Sequence, residues 1–121
     1  MDVPEIGVEE LERRLAAGAM LIDVREPDEY AQVRVPGGIL VPLQTVPDRL
    51  ADVPTDGTFY VICAKGGRSR EAAEFLITEG HDAVNVTGGT TAWVEAATFL
   101  HQRAYIVGCA GRKGDRQRGG L

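Results

Sequence analysis

Thr58-Phe59-Tyr60-Val61-Ile62-Cys63-Ala64-Lys65-Gly66-Gly67-Arg68-Ser69-Arg70 sets a strand, a cysteine and a glycine loop in immediate succession. The aromatic and β-branched run from Thr58 to Cys63 reads as a buried strand. Gly66 and Gly67 follow, flanked by Lys65 and Arg68, and a helix-forming segment opens at Ser69. Glycines let the backbone curl so that successive N–H groups turn inward, and a helix N-terminus adds partial positive charge. A free thiol, with a pKa near ~8.5, is mostly protonated at neutral pH, and cationic surroundings favour its thiolate. Taken singly, these features fit a small buried cysteine and an ordinary Gly-Gly turn. In this order they point to an anion-binding nucleophile site. Cys63 is the candidate nucleophile, and Ala64, Lys65, Gly66, Gly67, Arg68 and Ser69 form the candidate cradle.

Working outward, the chain alternates strands and helices. Val8 to Ala17 reads as a helix, with Val8, Leu11 and Leu15 on one face, acidic residues in its early turns and Gly18 as its cap. Met20 to Val24 is a buried strand, and Pro27 can begin a short helix because its missing N–H costs little there. Val35 to Leu43 is a turn into a brief strand, and Pro47 to Leu50 one or two helical turns. The helix from Ser69 to about Glu79 has an apolar side of Ala72, Ala73, Phe75 and Leu76 and ends at Gly80. Ala83 to Val86 is a short strand. Gly88 and Gly89 then open a helix through Trp93, a core residue, to about Thr98. This alternation predicts an α/β sandwich with a mainly parallel sheet. Sites in such folds gather at the carboxyl ends of the strands, where Cys63, Asp23, Arg25, Gly88 and Gly89 all fall.

At 121 residues the chain suits one domain with a single core. Five of its 13 basic side chains but only one of its 18 acidic ones fall in residues 101–121, so the first hundred residues carry a net charge of −9. An acidic body argues against nucleic-acid binding, and it makes the Lys65/Arg68/Arg70 cluster conspicuous. No signal peptide or membrane-spanning run is apparent, so a cytoplasmic location is expected. Cys63 and Cys109 form no metal-ligand pattern, and neither a disulfide framework nor a cofactor is expected.

Four segments together resemble the single-domain rhodanese-like sulfurtransferases. They are Leu21-Ile22-Asp23-Val24-Arg25-Glu26-Pro27-Asp28-Glu29-Tyr30, Val35-Pro36-Gly37-Gly38-Ile39-Leu40-Val41-Pro42-Leu43, Val61 to Ser69, and Val86-Thr87-Gly88-Gly89-Thr90-Thr91-Ala92-Trp93. They run in family order across residues 5 to 97. The resemblance implies a three-layer sandwich: a central, mainly parallel sheet of about five short strands flanked by helices. In that fold a ring of cysteine plus five residues goes with sulfur transfer, and one residue more suits phosphate or arsenate. Cys63 to Arg68 spans six positions, the smaller ring.

The implied reaction takes a sulfane sulfur from a small anionic donor such as thiosulfate onto Cys63 as a persulfide. It then passes that sulfur to cyanide, a thiol or a sulfur-accepting protein. A non-enzymatic module that carries sulfur or binds a partner is the alternative. Lys65 and Arg68 would attract and orient the donor, or else tie the loop to nearby carboxylates. Asp23 and Arg25 match the family's aspartate–x–arginine pair and would support the site as a buried charge network. Glu29 and Tyr30 read as helix-face and packing residues, and Arg70 as a solvated one.

Two departures from the family pattern carry structural expectations. Val33-Arg34 replaces the usual glycine–histidine, and valine tolerates a positive φ poorly, so a strained turn is expected there. After Trp93 the family's glycine and proline give way to Ala97 and Phe99, leaving the last segment undefined. The domain is expected over residues 1–100, followed by a basic, glycine-rich and poorly ordered tail over 101–121 in which Cys109 is an incidental thiol.

Overall fold

In the computed structural model, which describes residues 2–100, the chain runs β1 (Glu5–Ile6), α1 (Val8–Ala16), β2 (Met20–Asp23), α2 (Pro27–Gln32) and β3 (Ile39–Leu40). Two short 3-10 segments follow, Leu43–Asp48 and Leu50–Asp52. Then come β4 (Phe59–Ile62), α3 (Gly67–Thr78), β5 (Ala83–Val86) and α4 (Gly89–Leu100). The expected tail and Cys109 lie outside the described residues.

The five strands form one parallel sheet in the order β1-β5-β4-β2-β3. Both faces are covered, which is why β4 and β5 are buried along their whole length and lack a polar alternation. The two-residue period of β4 divides the core in two. Phe59, Val61 and Cys63 face Ala72, Ala73 and Leu76 of α3, together with Val41 and Val46. Tyr60 and Ile62 face Leu11 of α1 and Trp93 of α4. The expected α/β architecture of about five parallel strands flanked by helices is what the chain adopts.

Three details differ from the sequence reading. Glu5–Ile6 is a strand of two residues, too short for any periodicity to reveal, and it exists through its pairing with Asn85 and Val86. Helix α3 begins at Gly67 rather than Ser69, because Gly66 at φ 112° turns the chain directly into the helix. The strain expected at Val33 is absent. Val33 is extended (φ −160°, ψ 144°), and the positive φ falls on Gly37 at 87°.

α2 is fixed on both sides of that turn. The Tyr30 hydroxyl donates to the Gly38 carbonyl at 2.6 Å, and the Arg34 guanidinium lies 4.6 Å above the Tyr30 ring. At the other end of the chain, α4 continues through the substituted segment, and Ala97 is buried.

Candidate active site

Cys63 is the residue after β4, at the carboxyl end of a central strand. Its neighbour across the sheet is the end of β2, where the Val24 N–H donates to the Ile62 carbonyl at 3.0 Å. Only 1% of Cys63 is exposed, so its sulfur sits at the floor of the loop. The Gly66 N–H donates to Sγ at 3.1 Å, and the Ser69 hydroxyl stands 3.3 Å from it. Burial pushes the thiol pKa up, but the Ser69 hydroxyl and the backbone N–H groups of Ser69, Gly66 and Lys65 outweigh it. The net direction is down, toward the thiolate.

A buried amide holds the loop in this shape. Asn85 of β5, 1% exposed, accepts the Ser69 hydroxyl through Oδ1 at 2.5 Å. Its Nδ2 donates to the Gly66 carbonyl at 3.2 Å and to Glu5 Oε2 at 2.8 Å. One side chain therefore grips both arms of the loop, and the Glu5 carboxylate fixes which way its amide faces.

The far wall of the loop is clamped by α4. The Thr90 N–H donates to the Cys63 carbonyl at 2.9 Å, and the Thr91 N–H to the Ala64 carbonyl at 3.0 Å. These donors have no partner within their own helix, and they pull the loop carbonyls outward. Gly89 makes the approach possible: a Cβ there would lie 2.3 Å from the Cys63 carbonyl oxygen.

The other candidate residues take distinct positions. Lys65 is exposed and makes no ion pair among the described residues, whereas Gly67 opens α3. Arg68 turns to α2 and grips Glu29 with both ends of its guanidinium, at 2.8 and 3.0 Å. The Arg68 guanidinium, followed by the Glu26 backbone N–H, lowers the Glu29 carboxyl pKa to about 2.

Asp23 and Arg25 form a buried ion pair at 2.9 Å. Arg25 also donates through Nη2 to the Val33 carbonyl at 2.8 Å and through Nη1 to the Glu29 carbonyl at 3.4 Å. Together they tie the last carbonyls of α2 to the end of β2, which places Glu29 opposite Arg68. Arg70 pairs with Glu5 at 3.2 Å rather than standing alone in solvent.

Asn85, Glu5 and the Arg68 partner Glu29 were not singled out as site residues. A signal for Asn85 was present: an amide inside the apolar strand Ala83-Val84-Asn85-Val86 needs a buried partner. Glu29 lies 39 residues from Arg68, and only the folded topology brings them together.

Among the described residues no group of His, Cys, Asp and Glu side chains is placed to hold a metal ion. No helix there is long and apolar enough to cross a membrane.

The rhodanese-like domain family model matches residues 7–96 of the chain. A protein named "Sulfurtransferase" from Allochromatium vinosum is 36% identical over 94 residues, spanning 75% of this chain and 88% of the other. A Bacillus subtilis protein named "Putative sulfur carrier protein YrkF" is 33% identical over 94 residues, which cover 75% of this chain and 51% of that one. The crystal structure of a rhodanese-like domain protein from Staphylococcus aureus superposes with a TM-score of 0.72 at 36% identity. The match covers 75% of this chain and 91% of that one.

Proposed function

The chain belongs to the rhodanese-like domain family, and we propose that within it this protein is a sulfurtransferase working through a persulfide on Cys63. One observation carries the reading: a buried cysteine whose sulfur takes the Gly66 N–H and the Ser69 hydroxyl, favouring the thiolate. With thiosulfate as donor, the thiolate attacks the outer sulfur. The sulfur–sulfur bond of the donor breaks, and sulfite leaves with its electron pair. The new terminal sulfur is anionic and sits where inward N–H groups and the α3 N-terminus offer positive charge, an arrangement akin to an oxyanion hole. Cyanide or a thiolate then attacks that terminal sulfur, and the Cys63 thiolate is regenerated as the leaving group.

The test is sulfite release from thiosulfate with cyanide as acceptor, comparing the wild type with Cys63→Ala. Turnover in the wild type and none above background in the variant is the expected result. Equal rates would refute a role for Cys63.

The sulfur-carrier alternative draws on the relative named for that role. A Cys63 persulfide that forms once but does not turn over with cyanide or small thiols would favour it.

A further inference from the structure

The loop brings two cationic side chains to the Cys63 site, Lys65 and Arg68, and they are held differently. Arg68 is engaged by the Glu29 carboxylate in a two-point ion pair. Paired guanidinium–carboxylate forks are the strong, geometrically defined kind. Glu29 is itself fixed from three sides. Its Oε1 accepts the Glu26 N–H at 2.9 Å in a capping box at the start of α2. Its carbonyl is held by buried Arg25, and its carboxylate faces Arg68. Glu26 and Asp28, both exposed, add negative charge on the same short helix. Lys65 has no such partner among the described residues.

We propose that Glu29 sets the charge class of the sulfur donor: by neutralising Arg68 it biases the site toward singly charged organic persulfides and away from the dianion thiosulfate. The inference rests on the sulfurtransferase reading above and deepens it. A dianion approaching a thiolate must be compensated by nearby cations, and here Arg68 is already committed. The net charge of −9 on residues 1–100 adds repulsion that grows with donor charge. An organic persulfide needs less compensation. The Cys63 thiolate attacks its terminal sulfur, the sulfur–sulfur bond breaks, and the organic thiolate leaves with the electron pair and takes a proton from water. Cys63 retains the terminal sulfur as its persulfide. The Glu29 carboxyl, with a pKa of about 2, stays charged throughout the range in which such donors are used.

The experiment measures sulfur loading onto Cys63 at subsaturating donor, with the dianion thiosulfate and with cysteine persulfide, a net monoanion at neutral pH, in the full chain and in Glu29→Gln. Glutamine still accepts the Glu26 N–H, so the capping box survives while Arg68 is released. Glu29→Gln is expected to raise kcat/KM for thiosulfate roughly tenfold and to change that for the persulfide less than about threefold. An unchanged donor ratio in the folded variant would overturn the proposal.

A second measurement needs no variant. Wild-type loading from thiosulfate is expected to hold steady or rise as salt screens the repulsion. A steep fall with salt, the mark of a net cationic site, would also overturn the proposal. If neither donor loads Cys63, the sulfurtransferase reading itself fails, an outcome distinct from both.

Discussion

At Cys63, burial and hydrogen bonding act in opposite directions, and the balance depends on Ser69. The Ser69 hydroxyl carries one proton and has two acceptors within reach, Asn85 Oδ1 at 2.5 Å and Cys63 Sγ at 3.3 Å. Asn85 cannot turn its amide over without placing its oxygen against the Glu5 carboxylate and the Gly66 carbonyl. Ionisation of Cys63 therefore draws on a hydroxyl that is positioned but shared. A hydrogen bond to a charged group is worth about 1.5–3 kcal/mol, so Ser69→Ala should slow alkylation of Cys63 at pH 7 roughly tenfold. The midpoint of its pH profile should move upward, because the thiolate has lost a donor. An unchanged profile would mean that the backbone N–H groups alone set the ionisation. Cys63 was legible in the sequence because strand, cysteine and glycine loop are contiguous. Asn85 shows only as an amide in an apolar strand, with nothing to say what it holds, and Glu5 and Glu29 reach the site from two further elements that only the fold brings near.

At the scale of elements, the loop is shaped less by its own residues than by what presses on it. Strand β5 supplies Asn85, α4 supplies two N–H donors, and α2 supplies Glu29. The sequence pattern identified all four helices, α1 and α3 from an apolar face, α2 from Pro27 and α4 from the glycine turn that opens it, and the later strands from apolar runs between turn residues. It missed β1, whose two residues show no period, and it started α3 late because a glycine N-cap carries no side-chain signature. The expectation at Val33 failed for a related reason. The positive φ that the family pattern suggested there is carried by Gly37, four residues on.

Contact between α4 and the loop gives the element-scale prediction. Gly89 has φ 59°, and an added Cβ would strike the carbonyls of both Cys63 and Ala64. A left-handed conformation costs a non-glycine residue about 1–3 kcal/mol, and the backbone collision adds to it. Gly89→Ala should therefore lower stability in urea by at least about 2 kcal/mol and reduce the reactivity of Cys63. Wild-type stability and reactivity would show that the loop does not depend on this clamp.

For the whole molecule, a parallel sheet buried on both faces brings the ends of β2, β4 and β5 together. The buried Asp23–Arg25 pair, the nucleophile and the supporting Asn85 then meet toward the carboxyl end of the sheet's inner strands. Around this site the body is acidic, and the pairing of Arg68 with Glu29 leaves Lys65 as the exposed cation of the loop. Composition made the acidity legible, but composition does not reveal which cations are already paired. Everything proposed for the protein turns on whether Cys63 accepts sulfur. The most direct measurement is the intact mass and peptide map after exposure to thiosulfate or an organic persulfide, with Cys63→Ser in parallel. Expected is a gain of one sulfur, about 32 Da, confined to the Cys63 peptide, removed by an acceptor thiol and absent from the variant. No gain on Cys63 with either donor, or the same gain in Cys63→Ser, would contradict a sulfur-transfer role for this site.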